Sequence, residues 1–243
     1  MNRMEELKKQ IVSYWSQRAE AFGDQRLREY FDEKHEEWLR ELRRYLPDVE
    51  SGKTRILDVG TGTGFFAFLL AGEGYRVTGI DLTEDMIAKA RETAEKLKIF
   101  PEFLVMDAEE PSFGEESFDV IVTRNLTWSL PHLKRAYRSW HRLLAPGGIL
   151  INFDADYCRE TPAEHLPEHH AHKALSEGTL REYEAIKGKL RRTQQERPAW
   201  DEALLREVGF SDIRVDTSVW ERIYARKDEF YNPTPIFTIT ARA

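Results

Sequence analysis

The segment Asp58-Val59-Gly60-Thr61-Gly62-Thr63-Gly64 joins an apolar tetrapeptide to an apolar run, and Asp81 follows 17 positions after its last glycine. Glycines at such a turn let the main chain bend sharply and let a ligand approach the backbone without meeting a Cβ atom. A carboxylate at the end of the next strand, where Asp81 falls, accepts hydrogen bonds from ribose hydroxyls in doubly wound nucleotide folds. A helix-capping or surface acid is the plainer alternative. The spacing is G-x-G-x-G, not the G-x-G-x-x-G that presents a helix N-terminus to a pyrophosphate. Asp58 beside the turn would repel a pyrophosphate and suits a ligand bearing an ammonium group. A second cluster, His165, His169, His170 and His172 near Asp154, Asp156 and Cys158, has the composition of a metal site. Pro167 interrupts helical spacing within it, so no metal site is assigned, and the histidines are read as acid–base or solvated groups. Asp156 and Tyr157 follow a strand and are better placed by topology to reach a substrate; with His169 they are the candidates for a general base.

These residues need elements to position them. Ile56–Val59, 76–80, 103–106, 118–123 and 149–153 read as short apolar strands, alternating with helical segments. Phe65 to Leu70 reads as a buried helix. A further helix begins behind Thr83 with Met86, Ile87, Ala90, Ala94 and Leu97 on one face, and another runs from about His132 and stops at Pro146-Gly147-Gly148. Continuous apolar strands alternating with helices predict an α/β, doubly wound, mostly parallel sheet covered on both faces. Before it, Met4 to Trp15 and then Leu27 to Leu46 repeat apolar residues at helical spacing, which predicts two amphipathic helices. After it, Thr179 and Glu182 have capping-box spacing ahead of Tyr183, Ile186 and Leu190; 200–208 reads as a short helix; 213–215 and 236–240 read as strands. The expected organisation is a helical lid over 1–47, a cofactor-binding core over 48–156, a substrate-capping insertion over 157–200, and a C-terminal helix and strands over 201–243.

Asp58 to Gly64, Asp81, Met106-Asp107-Ala108-Glu109 and Leu144-Ala145-Pro146-Gly147-Gly148 stand in an order and spacing that resemble the successive motifs of class I S-adenosylmethionine-dependent methyltransferases, in their small-molecule branch. The resemblance covers about 55–154. It implies a Rossmann-like sheet of seven strands and S-adenosyl-L-methionine as cofactor. It implies that Asp58, Gly60, Gly62 and Gly64 approach the methionine part, that Asp81 binds the ribose, and that Asp107 and Ala108 meet the adenine with Leu82 and Met86 in apolar contact. Tyr14-Trp15-Ser16-Gln17-Arg18-Ala19-Glu20-Ala21-Phe22 resembles the family's lid helix, which implies Tyr14 and Arg18 near the cofactor. On residue chemistry alone Tyr14 and Trp15 are helix-packing side chains. Asn125 and Trp128 follow the fourth strand, facing the crevice of an open sheet. Asn125 is assigned to the cofactor, and Trp15 and Trp128 to the acceptor. A turn residue at Asn125 and a core aromatic at Trp128 are the alternatives.

The chain has 243 residues, a formal net charge of −7 and 33% charged residues, with hydrophobic residues at 41%. It can bury a core, and its acidity lacks the field that concentrates a protein on nucleic acid. One cysteine forms no internal disulfide, the first ten residues lack the apolar core of a secretion signal, and no apolar run approaches the ~18 residues of a membrane span. The expected setting is reducing and cytoplasmic, as a monomer or homodimer. The expected function is methyl transfer from S-adenosylmethionine to an oxygen or nitrogen atom of a small molecule. A macromolecular acceptor such as tRNA or protein, an NAD-dependent oxidoreductase, and a non-catalytic cofactor-binding protein are the rivals.

Overall fold

A computed structural model describes residues 3–47, 53–159, 176–191 and 193–243. Two helices, α1 (Arg3–Phe31) and α2 (Lys34–Arg43), precede an alternation of β1 (Arg55–Val59), α3 (Phe65–Gly72), β2 (Arg76–Asp81), α4 (Glu84–Leu97), β3 (Glu102–Val105) and β4 (Phe118–Arg124). A single 3-10 turn at Thr127–Ser129 leads to α5 (Leu133–Leu143) and β5 (Leu144–Asp154). Then follow α6 (Glu177–Arg191), α7 (Ala199–Glu207), β6 (Ser211–Asp216), α8 (Val219–Ile223) and β7 (Phe237–Arg242). The seven strands form one sheet in the order β3-β2-β1-β4-β5-β7-β6. All neighbours from β3 through β5 are parallel, and β7 enters antiparallel between β5 and β6.

Side chains alternate between two cores because successive strand residues face opposite sides of the sheet. Ile56, Val120, Val122 and Phe153 join α1 to α4 on one face; Leu57, Val59, Ile121 and Leu150 join α5 and α7 on the other. The central strands β1, β4 and the second half of β5 are therefore buried at nearly every position, as a sheet covered twice requires. Helix α3 is likewise buried at Phe65, Phe66, Ala67, Phe68, Leu69 and Leu70, which explains why it shows no polar face.

Several boundaries differ from the sequence reading. Helix α1 continues to Phe31, so Leu27 and Tyr30 belong to it and not to the second helix, and Phe31 is 74% exposed. Pro146-Gly147-Gly148 does not end α5. The helix stops at Leu143, and the three residues bulge out inside β5, whose pairing with β4 jumps from Phe118↔Leu144 to Val120↔Ile149. Proline has no N–H for a ladder, so the chain accommodates it in a bulge. Helix α6 begins at Glu177, and Ser176 Oγ accepts the Thr179 N–H at 3.1 Å, so Ser176 takes the capping position that spacing gives to Thr179. Helix α8, only five residues long, has too short a period to be read in advance.

Candidate functional site

The C-terminal ends of β1, β2, β3 and β4 open into a cavity of about 460 Å³, within the ~300–1,000 Å³ range of small-molecule sites. Helix α1 covers it with Trp15 and Arg18; α6 supplies Tyr183; the segment between α8 and β7 supplies Tyr231 and Asn232. At the end of β1, Asp58 is 2% exposed and accepts the Thr61 hydroxyl at 2.6 Å. Burial pushes its carboxyl up to about 7. Thr61 N–H donates to Ile80 C=O at 2.9 Å, fastening the glycine turn to β2.

Gly62 has φ +53°, a backbone conformation that disfavours other residues, and its N–H donates to Asp81 Oδ2 at 3.0 Å. Asp81 Oδ1 accepts the Thr83 N–H at 2.8 Å, so the carboxylate holds both the glycine turn and the start of α4. Burial raises the Asp81 pKa. Gly60 and Gly62 line the cavity, but Gly64 does not: a Cβ there would stand 2.7 Å from Phe68 and 2.9 Å from Phe103, so its bareness serves packing. Leu82, Met86, Asp107 and Ala108 line the wall beyond. Asp107 Oδ2 pairs with Lys8 Nζ at 2.7 Å, and the same ammonium reaches Glu109 at 2.7 Å, which ties α1 over that end of the cavity.

Asn125, just past β4, has φ +55° and points into the cavity wall, where its Oδ1 accepts the Tyr157 hydroxyl at 2.9 Å. Asn232 Nδ2 donates to the same hydroxyl at 2.6 Å. Trp128 lines the cavity, donates Nε1–H to Asn125 C=O at 3.0 Å, and meets Tyr157 and Tyr183 edge-on at 5.5 and 5.7 Å. Tyr14 does not line the cavity. It is buried, stacked on Tyr183 at 5.6 Å, and takes a hydrogen bond from Arg18 Nη1 at 2.9 Å, so it sets the arginine. Nor does Asp156 reach the cavity: its carboxylate accepts the Arg197 N–H at 3.2 Å and pairs with Arg159 at 3.4 Å. His169 and the other three histidines of the insertion lie outside the described residues. Among the described residues no cluster of His, Cys, Asp or Glu could hold a metal ion, and the buried Cys158 thiol is pushed up to about 12 by desolvation.

Lys8, Arg26, Arg124, Tyr183 and Asn232 also line the cavity, and sequence reasoning did not single them out for it. Arg124 carried a signal, a charge at a strand C-terminus next to Asn125. Asn232 carried none, because 107 positions separate it from Asn125 in the chain.

A model of the methyltransferase domain matches residues 57–152. The chain is 35% identical over 111 residues to the phosphatidylethanolamine N-methyltransferase of Cereibacter sphaeroides, covering 45% of this chain and 54% of that one. It is 37% identical over 120 residues to phosphoethanolamine N-methyltransferase 3 of Arabidopsis thaliana, covering 48% and 24%. The chain thus spans about half of the first relative's length and a quarter of the second's. Among solved structures, the Haemonchus contortus phosphoethanolamine N-methyltransferase 2 in complex with S-adenosyl-L-methionine superposes with a TM-score of 0.58 at 24% identity, covering 83% of this chain and 50% of that one. That likeness shows the same Rossmann-like fold. Residues 57–152 therefore match the methyltransferase domain, set on a seven-stranded Rossmann-like sheet.

Proposed function

We propose that the protein moves a methyl group from S-adenosyl-L-methionine to an oxygen or nitrogen atom of a small molecule. The observation that carries this reading is the row of acids Asp58, Asp81 and Asp107, at or just beyond the ends of three adjacent strands around one cavity. The donor set fits the cofactor. Asp58 is a buried carboxyl that forms no ion pair among the described residues and feels the Arg124 charge only at longer range, and the cofactor's ammonium group would supply a direct partner. Asp81 lines the cavity at the end of β2, where a carboxylate suits ribose hydroxyls; Asp107 and Ala108 would frame the adenine with Leu82 and Met86 against its faces, and the turn at Gly60 and Gly62 would admit the methionine part. Arg18, set by Tyr14, would hold the cofactor's carboxylate.

When bound, the cofactor supplies a methyl group already activated by its sulfonium. The chain's own work is to hold the nucleophile in line and keep water out, an alignment that can contribute ~7–11 kcal/mol. Trp15 and Trp128 close the acceptor side, where a π-face also favours a cationic neighbour. Tyr157 reaches the cavity with its proton engaged by Asn125, which suits orienting a nucleophile; Asp156, turned toward Arg197, is left to hold the chain after β5. The names of the relatives, which act on phosphoethanolamine and phosphatidylethanolamine, support a low-molecular-weight acceptor. The net charge of −7 supports an acceptor other than nucleic acid, and the lone buried Cys158 supports a reducing, cytoplasmic setting for a monomer or homodimer.

Calorimetric titration with S-adenosylhomocysteine and with NAD tests the reading. Binding of the first and not the second is expected; no heat with S-adenosylhomocysteine would remove the proposal. Asp81→Ala should weaken that binding by about ten-fold or more, since a hydrogen bond to a charged group contributes ~1.5–3 kcal/mol.

A further inference from the structure

Two arginines on the cavity wall share one carboxylate. Arg124, the last residue of β4, is 10% exposed and donates Nη2–H to Glu29 Oε1 at 2.9 Å and to the Tyr224 hydroxyl at 3.3 Å. Arg26, one turn before Glu29 on α1, pairs with the other oxygen of that carboxylate. Glu29 is fully buried and also accepts the Trp38 indole N–H at 3.2 Å. Two guanidinium groups thus share the one Glu29 carboxylate as their ion-pair partner among the described residues. Among the described residues Arg124 Nε and Nη1 and Arg26 Nε are buried and have no hydrogen-bond partner, while the Arg124 guanidinium lies over the Trp38 ring at 4.2 Å. Burial, with the like charge of Arg124 beside it, holds the Arg26 pKa below the ordinary guanidinium value.

Arg197 shows how this chain finishes a buried arginine when no ligand is involved. It faces two carboxylates, Asp154 at 3.3 Å and Asp201 at 2.6 Å, and Nε, Nη1 and Nη2 all donate to protein oxygens. A buried, incompletely paired cation is costly. The chain leaves one at Arg124 and Arg26, where both side chains border open space. The sheet order locates that space. Asp58 and Asp81 lie on β1 and β2 and Asp107 just beyond β3, whereas Arg124 ends β4, on the other side of β1 and within electrostatic reach of Asp58. The neighbouring wall comes from Tyr224, Phe230 and Tyr231, outside the region that matches the methyltransferase domain.

We propose that Arg124 and Arg26 form a subsite for an anionic group of the methyl acceptor, a carboxylate or a phosphate. The inference rests on the cofactor occupying the β1–β3 side, as argued above. Guanidinium donors suit such oxyanions in charge and geometry. The acceptor then has an anion at one end, held beside β4, and its nucleophile at the other, near Asn125 and Trp128.

The test is a titration of the protein saturated with S-adenosylhomocysteine, using inorganic phosphate and acetate in separate arms. At least one of them is expected to bind at millimolar concentration, and the tighter of the two tells phosphate from carboxylate. Arg124→Met and, independently, Arg26→Gln should each weaken that binding by about ten-fold, a loss of ~1.4 kcal/mol, while the affinity for S-adenosylhomocysteine changes less than about three-fold. Melting curves establish that each variant is folded, and Arg26→Gln, the more exposed position, stands in should Arg124→Met fail to fold. Absence of anion binding to the unsubstituted protein, or binding that neither substitution alters, overturns the proposal. So does a large loss of S-adenosylhomocysteine affinity in Arg124→Met with unchanged affinity for 5′-methylthioadenosine, which lacks the carboxylate, because Arg124 would then read the cofactor. The anion arms are also run without S-adenosylhomocysteine, so failure of the cofactor reading is seen separately from failure of this one.

Discussion

Asp58 is desolvated at the end of β1, and its carboxyl titrates near 7 in the fold against ~3.9 in an unfolded chain. The folded chain therefore holds this proton more tightly. Its ionisation costs stability progressively as pH rises from about 4 to 7, and the cost is complete above 7. A cationic ligand reverses the preference by stabilising the ionised form. Two consequences follow for S-adenosylhomocysteine: its affinity rises by about ten-fold between pH 6 and pH 8, and binding near pH 7 releases protons, so the titration heat scales with the ionisation enthalpy of the buffer. Asp58→Asn should abolish the proton release; heats that do not depend on the buffer in the unsubstituted protein would separate Asp58 from the ligand's charge.

Helices α1 and α4 meet at Gly23, where an added Cβ would lie 2.5 Å from Lys89 Cγ and 2.8 Å from its Cε. Lys89 cannot swing aside freely, because its ammonium is held by Glu20 at 2.7 Å and Asp24 at 3.4 Å. Gly23→Ala would gain ~1 kcal/mol of helix propensity, but overpacking costs ~1–3 kcal/mol. A melting temperature no higher than that of the unsubstituted protein is expected, and a clear rise would show that the helices have room. A second element-level joint is Arg197, which binds the start of α7 to the end of β5. Arg197→Met leaves Asp154 and Asp201 buried without their cation and should cost about 3–5 kcal/mol in denaturant unfolding. Burial already raises the Asp154 pKa, so without its cation Asp154 takes up a proton as pH falls, and the deficit should shrink toward pH 5. A deficit independent of pH would mean that packing and not charge is lost.

At the scale of the molecule, the cavity is closed by pieces from both ends of the chain: α1 from the N-terminal side, Tyr183 from α6, and Tyr231 and Asn232 from the segment before β7. A ligand that fills it therefore restrains the whole chain. With S-adenosylhomocysteine at about a hundred times its Kd, linkage adds ~2.7 kcal/mol, which for a chain of this size corresponds to a rise of about 5–11 °C in melting temperature. A single cooperative transition that shifts as a unit is expected in differential scanning calorimetry. A ligand-insensitive transition for part of the chain would show that the covering helices do not fold with the core.

The sequence by itself determined the sheet and the acidic side of the cavity, because both depend on local rules. Apolar runs fit strands buried on two faces, glycines fit the turn, and a parallel α/β sheet brings the ends of β1, β2 and β3 together, so Asp58, Gly62 and Asp81 are legible from spacing, and Asp107 only from the resemblance of its motif. Boundaries set by competition were less so: Ser176 in place of Thr179 at a helix start, and a proline-glycine bulge inside β5 where a helix stop was read. Only the tertiary structure decided the rest of the site. Whether Tyr14 or Trp15 faces the cavity is a matter of helix rotation, and whether Asp156 serves a substrate or Arg197 depends on where α7 docks. The pairing of Arg26 and Arg124 around Glu29 joins residues 95 positions apart, and that of Asn232 with Tyr157 joins residues 75 apart. Such charge balance is a sum over partners from distant elements, and no window of sequence contains the terms of that sum.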